Sequence, residues 1–233
     1  LFNIVSFSAD NNTMYSKAFR FIGSLALTAG VALAVFVAYE YWWTNNTAAQ
    51  IQEIQRDEVL HQWSTNTTSP FGDIGLIPLQ IGETFALMYI PRLRNEVWGM
   101  PVVEGTEDEH LARGIGHYPL TAQPGQVGNF VTFGHRTTHG QPYSNIDLLR
   151  DGDQVFVRTE SNWFIYTLKV DAIVEPTDVW VMRSRPLEHA RVRQLKNKHL
   201  ITLITCTPRH SIAERWVWWG DLTEVRDLEN SPL

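Results

Sequence analysis

Residues Phe21 to Tyr39, FIGSLALTAGVALAVFVAY, form a run of nineteen without a charged side chain. At about 1.5 Å per helical residue such a run reaches roughly the 30 Å of a bilayer core, where only a helix or a closed barrel satisfies the backbone polar groups. A cleaved signal peptide is the competing reading, but its apolar region is usually about 7 to 15 residues long and ends at a small-residue site. The run therefore predicts an uncleaved, single-pass anchor in the cell membrane. Lys17 and Arg20 precede it, whereas Glu40, Glu53, Asp57 and Glu58 follow it. Cations on the first side predict a cytoplasmic N-terminus and an extracytoplasmic remainder. Tyr39, Tyr41, Trp42 and Trp43 suit the outer interface, where the apolar body of a ring and its polar edge are both accommodated.

Beyond the anchor, composition narrows the classes that remain. With 44% hydrophobic and 19% charged residues the chain has the apolar surface for a packed core and too little charge for dominant disorder. A net charge of −6 argues against a polyanionic partner, so no nucleic acid is expected. A single cysteine, Cys206, excludes an intramolecular disulfide framework and any multi-cysteine metal site. The organisation expected is a short cytoplasmic flank (1–20), the anchor with its aromatic belt (21–43), a juxtamembrane helix and linker (44–72) and an extracytoplasmic domain (73–233). Ala48 to Trp63 is compatible with a helix, and Ser64 to Gly72 is rich in Ser, Thr, Asn, Pro and Gly, as linkers are. Because that linker contributes no strand, deletion up to about Ser69 is expected to leave the domain folded and active.

The domain itself reads as short β-rich runs separated by turn signals. Candidate strands are Thr84 to Ile90, Glu96 to Val103, Asn129 to His135, Asp153 to Thr159, Trp163 to Val174, Leu200 to Cys206 and Arg215 to Val225. Brief helical patches fall at Glu107 to Gly114, Tyr143 to Arg150 and Pro186 to Leu195. Many strands, few helices and spacings too short for repeated βαβ crossovers predict a mostly β fold, a closed barrel before a sandwich. In RWVWWG, strand alternation sends Trp216 and Trp218 to one face and Trp219 to the other.

Chemistry concentrates in two segments. Cys206 ends the strand-like run HLITLITC and opens the loop TPRHSIAE, with Arg209, His210 and Arg215 close in sequence. A lone cysteine is often a small buried hydrophobe, yet cationic surroundings favour the thiolate that acts as a nucleophile. His135 follows Gly134 at the end of an apolar strand, where a histidine serves either as a satisfied surface residue or as the acid that a thiol nucleophile needs for its leaving amine. Arg215 stands nine residues after Cys206. If the two flanking runs pair, its five-donor fork meets the sulfur at one sheet edge and can stabilise an oxyanion.

TLITC, from Thr202 to Cys206, followed by Arg215 and preceded by the strand-end His135, resembles the sortase signature. GHYPLTAQPGQVGNFVTFGHRTTHG with CTPRHSIAER is most similar to the class E sortases of high-GC Gram-positive bacteria. The resemblance covers roughly Thr84 to Val225 and implies a thiol transpeptidase on a closed eight-stranded β-barrel, with no cofactor and no metal. It implies Cys206 as nucleophile, His135 as general acid and base, Arg215 as electrostatic stabiliser and Thr205 as support for the oxyanion or substrate. Implied partners are secreted proteins with C-terminal LAxTG- or LPxTG-like sorting signals, cut between Thr and Gly. The implied acceptor is a lipid II-type peptide amine or a pilin lysine. Tyr118, in GHYPLT, carries over to a preference for alanine at the second position, since its hydroxyl could meet an amide that proline lacks. One departure stands out: His139 occupies the place before the Gly of the THG turn where an aromatic residue is expected.

Three rival readings remain at this level. His135 and His139, with His117 and His210 nearby in sequence, could hold a metal, although the turns at Gly134 and Gly140 leave no helical face to align them. A tethered, non-enzymatic wall-binding or pilus-scaffold domain would make Cys206 a packing residue. A hydrolytic cysteine protease would share the acyl-enzyme chemistry and differ only in its acceptor.

Overall fold

A computed structural model of the chain describes residues 10–65, 79–186 and 192–233. Helix α1 runs Asp10–Thr65 and falls into two compact units, one ending at Trp43 and the other beginning at Thr44 and continuing through Leu233. The first unit holds the apolar run, which is the one helix among the described residues long and apolar enough to cross a membrane, and its side chains are exposed. Tyr39 stacks on Trp43 one turn later.

The second unit is built on eight strands: β1 (Thr84–Tyr89), β2 (Trp98–Glu104), β3 (Ile115–His117), β4 (Gly128–Phe133), β5 (Gln154–Arg158), β6 (Asn162–Val174), β7 (His199–Thr207) and β8 (Glu214–Asp227). They close into a barrel in the order β1-β2-β3-β4-β7-β8-β6-β5. The β2/β3 and β4/β7 pairs are parallel and the others antiparallel. Helix α2 (Asp108–Leu111) sits between β2 and β3, and single turns of 3-10 helix occupy Ile146–Leu148 and Val192–Gln194. Part of the helical patch expected at Pro186 to Leu195, and most of the linker, lie outside the described residues.

All seven strands expected from the sequence are present, and β3 is the one that periodicity does not reveal. It is three residues long, and Gly114 and Gly116 occupy two of the four positions from 114 to 117. A Cβ at Gly114 would lie 2.3 Å from the Pro101 carbonyl oxygen, and one at Gly116 would lie 2.4 Å from that of Gly105. The backbones meet too closely there for side chains, so the hydrophobic signal is missing where the barrel needs contact most. His117 and Glu104, paired across β2 and β3, form a buried hydrogen-bonded contact through the His117 Nδ1.

Alternation along each strand divides the apolar residues into two layers. Phe130, Ile201, Leu203 and Trp218 face the barrel interior with Met88, Val102, Ile115 and Val155. Val131, Ile204, Val217 and Trp219 face outwards into a second layer, closed by Val181, Val192 and Leu195 of the β6–β7 connection. Trp216 packs on the interior layer beside Trp218, so the RWVWWG tryptophans split between the two layers as alternation requires.

The juxtamembrane part of α1 belongs to the barrel unit. Ala48, Gln52 and Val59 are buried, and Asn45, Gln55 and Trp63 continue the same stripe at helical spacing. Gln55 accepts hydrogen bonds from Thr84 at 2.9 Å and from Arg113, and Arg158 lies over the Trp63 ring. The compact unit that holds the barrel runs from Thr44 to Leu233 and so includes this part of the helix.

Candidate active site

Cys206 and Arg215 are direct register partners across β7 and β8. Two residues further in, Ile204 and Val217 both belong to the outer layer, so alternation turns Cys206 and Arg215 to that same face. On the other side of β7, parallel β4 runs alongside until Phe133 meets Ile204. The Gly134 amide then donates to the Ile204 carbonyl at 3.1 Å, and the Thr205 hydroxyl donates to the Gly134 carbonyl at 2.6 Å. His135 thus leaves the sheet level with the end of β7. Three adjacent strands, two of them paired between residues 71 apart in sequence, bring the three residues to one barrel edge.

Each has a defined environment. Cys206 is partly exposed and is a free thiol. His135 is held below the usual imidazole range, first by burial and then by the neighbouring His139, while Asp108 of α2 pulls the other way. Its Nε2 is buried without a hydrogen-bond partner among the described residues. The rings of His135 and His139 stack at 4.8 Å with 29° between planes. Among the described residues no group of three or more His, Cys, Asp or Glu side chains is arranged to hold a metal ion. The Nη1 of Arg215 donates to the Ile212 carbonyl at 2.9 Å and the Glu214 carbonyl at 3.0 Å, pinning the fork at the strand edge.

Thr205 is 2% exposed and its hydroxyl donates to the Gly134 carbonyl, so it braces the segment that leads into His135. Tyr118 is exposed, and its ring lies 6.0 Å from that of Phe133, on the face that carries Cys206. Arg136 is the residue that sequence reasoning passed over. Its side chain is 8% exposed, donates to Thr207 at 2.7 Å and to Asp147 at 3.0 Å, and lies 5.3 Å from the Trp216 ring centroid. It therefore ties the residue after Cys206 to the residue after Arg215. The signal available was an arginine directly following His135 at a strand end, which reads equally well as a surface cation.

A closed barrel with a cysteine, a histidine and an arginine gathered from three adjacent strands at one edge has the architecture of a cysteine transpeptidase. A family model described as a sortase domain matches residues 88–223. Sortase SrtE1 of Streptomyces coelicolor is 34% identical over 90% of this chain, which spans only 58% of that relative's length. Sortase SrtE2 of the same organism is 30% identical over 93% of this chain and 87% of its own. Among solved structures, sortase E of Streptomyces avermitilis is 38% identical and superposes with a TM-score of 0.58, covering 66% of this chain and 97% of that one. Sortase E1 of S. coelicolor, solved with a tripeptide in its active site, is 32% identical with the same TM-score of 0.58, over 65% of this chain and 95% of that one. The chain belongs to the sortase family of cysteine transpeptidases, and it is similar to the class E members.

Proposed function

We propose that this protein is a membrane-anchored transpeptidase that cuts LAxTG- or LPxTG-like sorting signals between Thr and Gly and passes the acyl group to an amine. The observation that carries this reading is the direct pairing of Cys206 with Arg215 beside the strand end that delivers His135. The Cys206 thiolate attacks the threonine carbonyl carbon, and the oxygen takes up the negative charge. The remaining donors of the pinned Arg215 fork stabilise that charge. Collapse breaks the peptide bond as His135 hands its proton to the departing glycine amine, leaving a thioester on Cys206. An incoming amine, from a lipid II-type peptide or a pilin lysine, gives its proton to His135, attacks the thioester and releases the thiolate.

The mechanism needs thiolate and imidazolium together. Burial and the His139 ring disfavour the imidazolium of His135. Slow turnover is the physical consequence, and anchoring beside secreted substrates compensates for it. The tripeptide bound by the S. coelicolor sortase E1 supports a peptide as the ligand class, and the exposure of Tyr118 beside Phe133 supports a role for it in reading the second position of the signal. The charge asymmetry about the apolar run supports an N-terminus inside and a barrel outside.

Mass spectrometry of the full chain with LAxTG and LPxTG peptides, with and without an amine acceptor, tests the reading. A mass increase on Cys206 equal to the acyl fragment, discharged by the amine, is expected. Peptide cleavage without that adduct, or no cleavage of either peptide, would overturn it.

A further inference from the structure

Asn45 and Gln52 stand two helical turns apart on the stripe of α1 that faces the barrel. The Oδ1 of Asn45 accepts the Gly140 amide at 3.1 Å, and the Nε2 of Gln52 donates to the His139 carbonyl at 3.1 Å. Gln52 also donates to the Ala112 carbonyl, just past α2, at 3.4 Å. At 6% exposure its amide is committed to these partners and not to water. The turn gripped in this way contains His139 at φ 53° and Gly140 at φ 75°, both in the left-handed region. A histidine stays there only when its surroundings hold it. A Cβ on Gly140 would come within 2.6 Å of the Gln52 amide, so helix and turn are in close contact at that point.

The ring carried by this turn lies on His135. A proton carrier works only when its nitrogen is aimed at the reacting atoms to within a fraction of an ångström and a few tens of degrees. The buried Nε2 of His135 has no hydrogen-bond partner among the described residues to fix that direction, and the stack on His139 at 4.8 Å is the contact that can. We propose that Asn45 and Gln52 are positioning residues for His135: by fixing the backbone of His139 and Gly140 they press the His139 ring onto that of His135 and set its orientation. The juxtamembrane helix is thereby a working part of the site. Asp108, which also acts on His135, lies on α2, whose end is tied to the same Gln52. This inference rests on the reading of His135 as the proton carrier.

The test uses the full chain in detergent, a sorting-signal peptide and an amine acceptor. Gln52→Met keeps length and burial but removes the donor; Asn45→Leu removes the acceptor, and Asn45→Asp keeps it. Gln52→Met and Asn45→Leu are expected to lower kcat roughly ten- to a hundredfold, the scale of a misplaced catalytic group. The KM for the peptide should change by less than about twofold, because no substrate contact is touched. The acidic limb of the kcat/KM profile should move to higher pH as the freed His139 ring withdraws from His135. Asn45→Asp should restore the parent rate. Thermal unfolding identifies any variant that fails to fold, and if Gln52→Met is one, the Asn45 pair decides. Unchanged kcat and an unmoved limb in Gln52→Met and Asn45→Leu, or equal losses in Asn45→Asp and Asn45→Leu, would overturn the inference. His135→Ala separates the two layers of argument. If it still forms and discharges the thioester, the proton-carrier reading falls. If it is inactive while Gln52→Met and Asn45→Leu match the parent, only the positioning role falls.

Discussion

Replacing Arg136 by alanine removes a buried cation that joins three chain segments at the mouth of the barrel. The hydrogen bond to Thr207 is charge-assisted and buried, a class worth about 1.5–3 kcal/mol. The partner Asp147 is 40% exposed, so that ion pair adds at most about 1 kcal/mol. The guanidinium lies 5.3 Å from the Trp216 ring, a separation at which the attraction contributes about 0.5–1 kcal/mol. Arg136→Ala should therefore destabilise the domain by about 3 kcal/mol. For a unit of this size that lowers Tm by roughly 6–12 °C. Differential scanning fluorimetry of the full chain in detergent, parent against variant, measures the shift. Because Thr207 follows Cys206 and Trp216 follows Arg215, peptide cleavage well below the new Tm should also fall, since the relative placement of thiol and guanidinium loosens. A Tm within 2 °C of the parent, with undiminished cleavage, would refute the assignment of Arg136 as the tie between these strands.

Cys206→Ala should abolish cleavage and thioester formation while leaving the circular dichroism spectrum unchanged; residual turnover above a few per cent would remove the nucleophile. Arg215→Lys keeps the charge but not the planar fork, and should cut kcat/KM by at least about tenfold with little change in Tm. Folding depresses the His135 pKa, so the folded state resists a proton that the unfolded chain accepts. The associated stability is complete above the ordinary imidazole range near pH 6.5 and is lost as the pH falls through the lower folded value. The fall in Tm between pH 7.5 and pH 5 should be smaller in His135→Gln. Truncation at Ser69 removes the Ala48, Gln52 and Val59 stripe, so that form should melt below, and turn over more slowly than, a form beginning at Thr44.

Strands with continuous β-branched or alternating apolar character, such as β7 and β8, are legible because burial on a barrel dictates their composition. β3 is not, because close backbone approach selects glycine there and glycine erases the pattern. Cys206, His135 and Arg215 are conspicuous from residue type and their places at strand ends, and the register of β4, β7 and β8 supplies what spacing alone cannot. Thr205 is chemically suited to a substrate, and its hydrogen bond to Gly134 shows only in the structure. Asn45, Gln52 and Gln55 escape notice because a polar stripe on a helix reads as solvated surface, and only its barrel partners show it to be an interface.

The parallel pairing of β4 with β7 joins residues 128–133 to residues 199–204, with β8 completing the far side. Contacts of that sequence separation form late, since the entropy of closing so long a loop is lost before any stabilising contact is gained. A chain emerging N-terminus first exposes His135 long before Cys206, and Arg215 last of all. Until β8 docks, Cys206 has no Arg215 across from it, although β4 and β7 already bring the Gly134–His135 segment to the end of β7. If Cys206, His135 and Arg215 act as proposed, the ability to cut arrives only when the last strand of the barrel has docked.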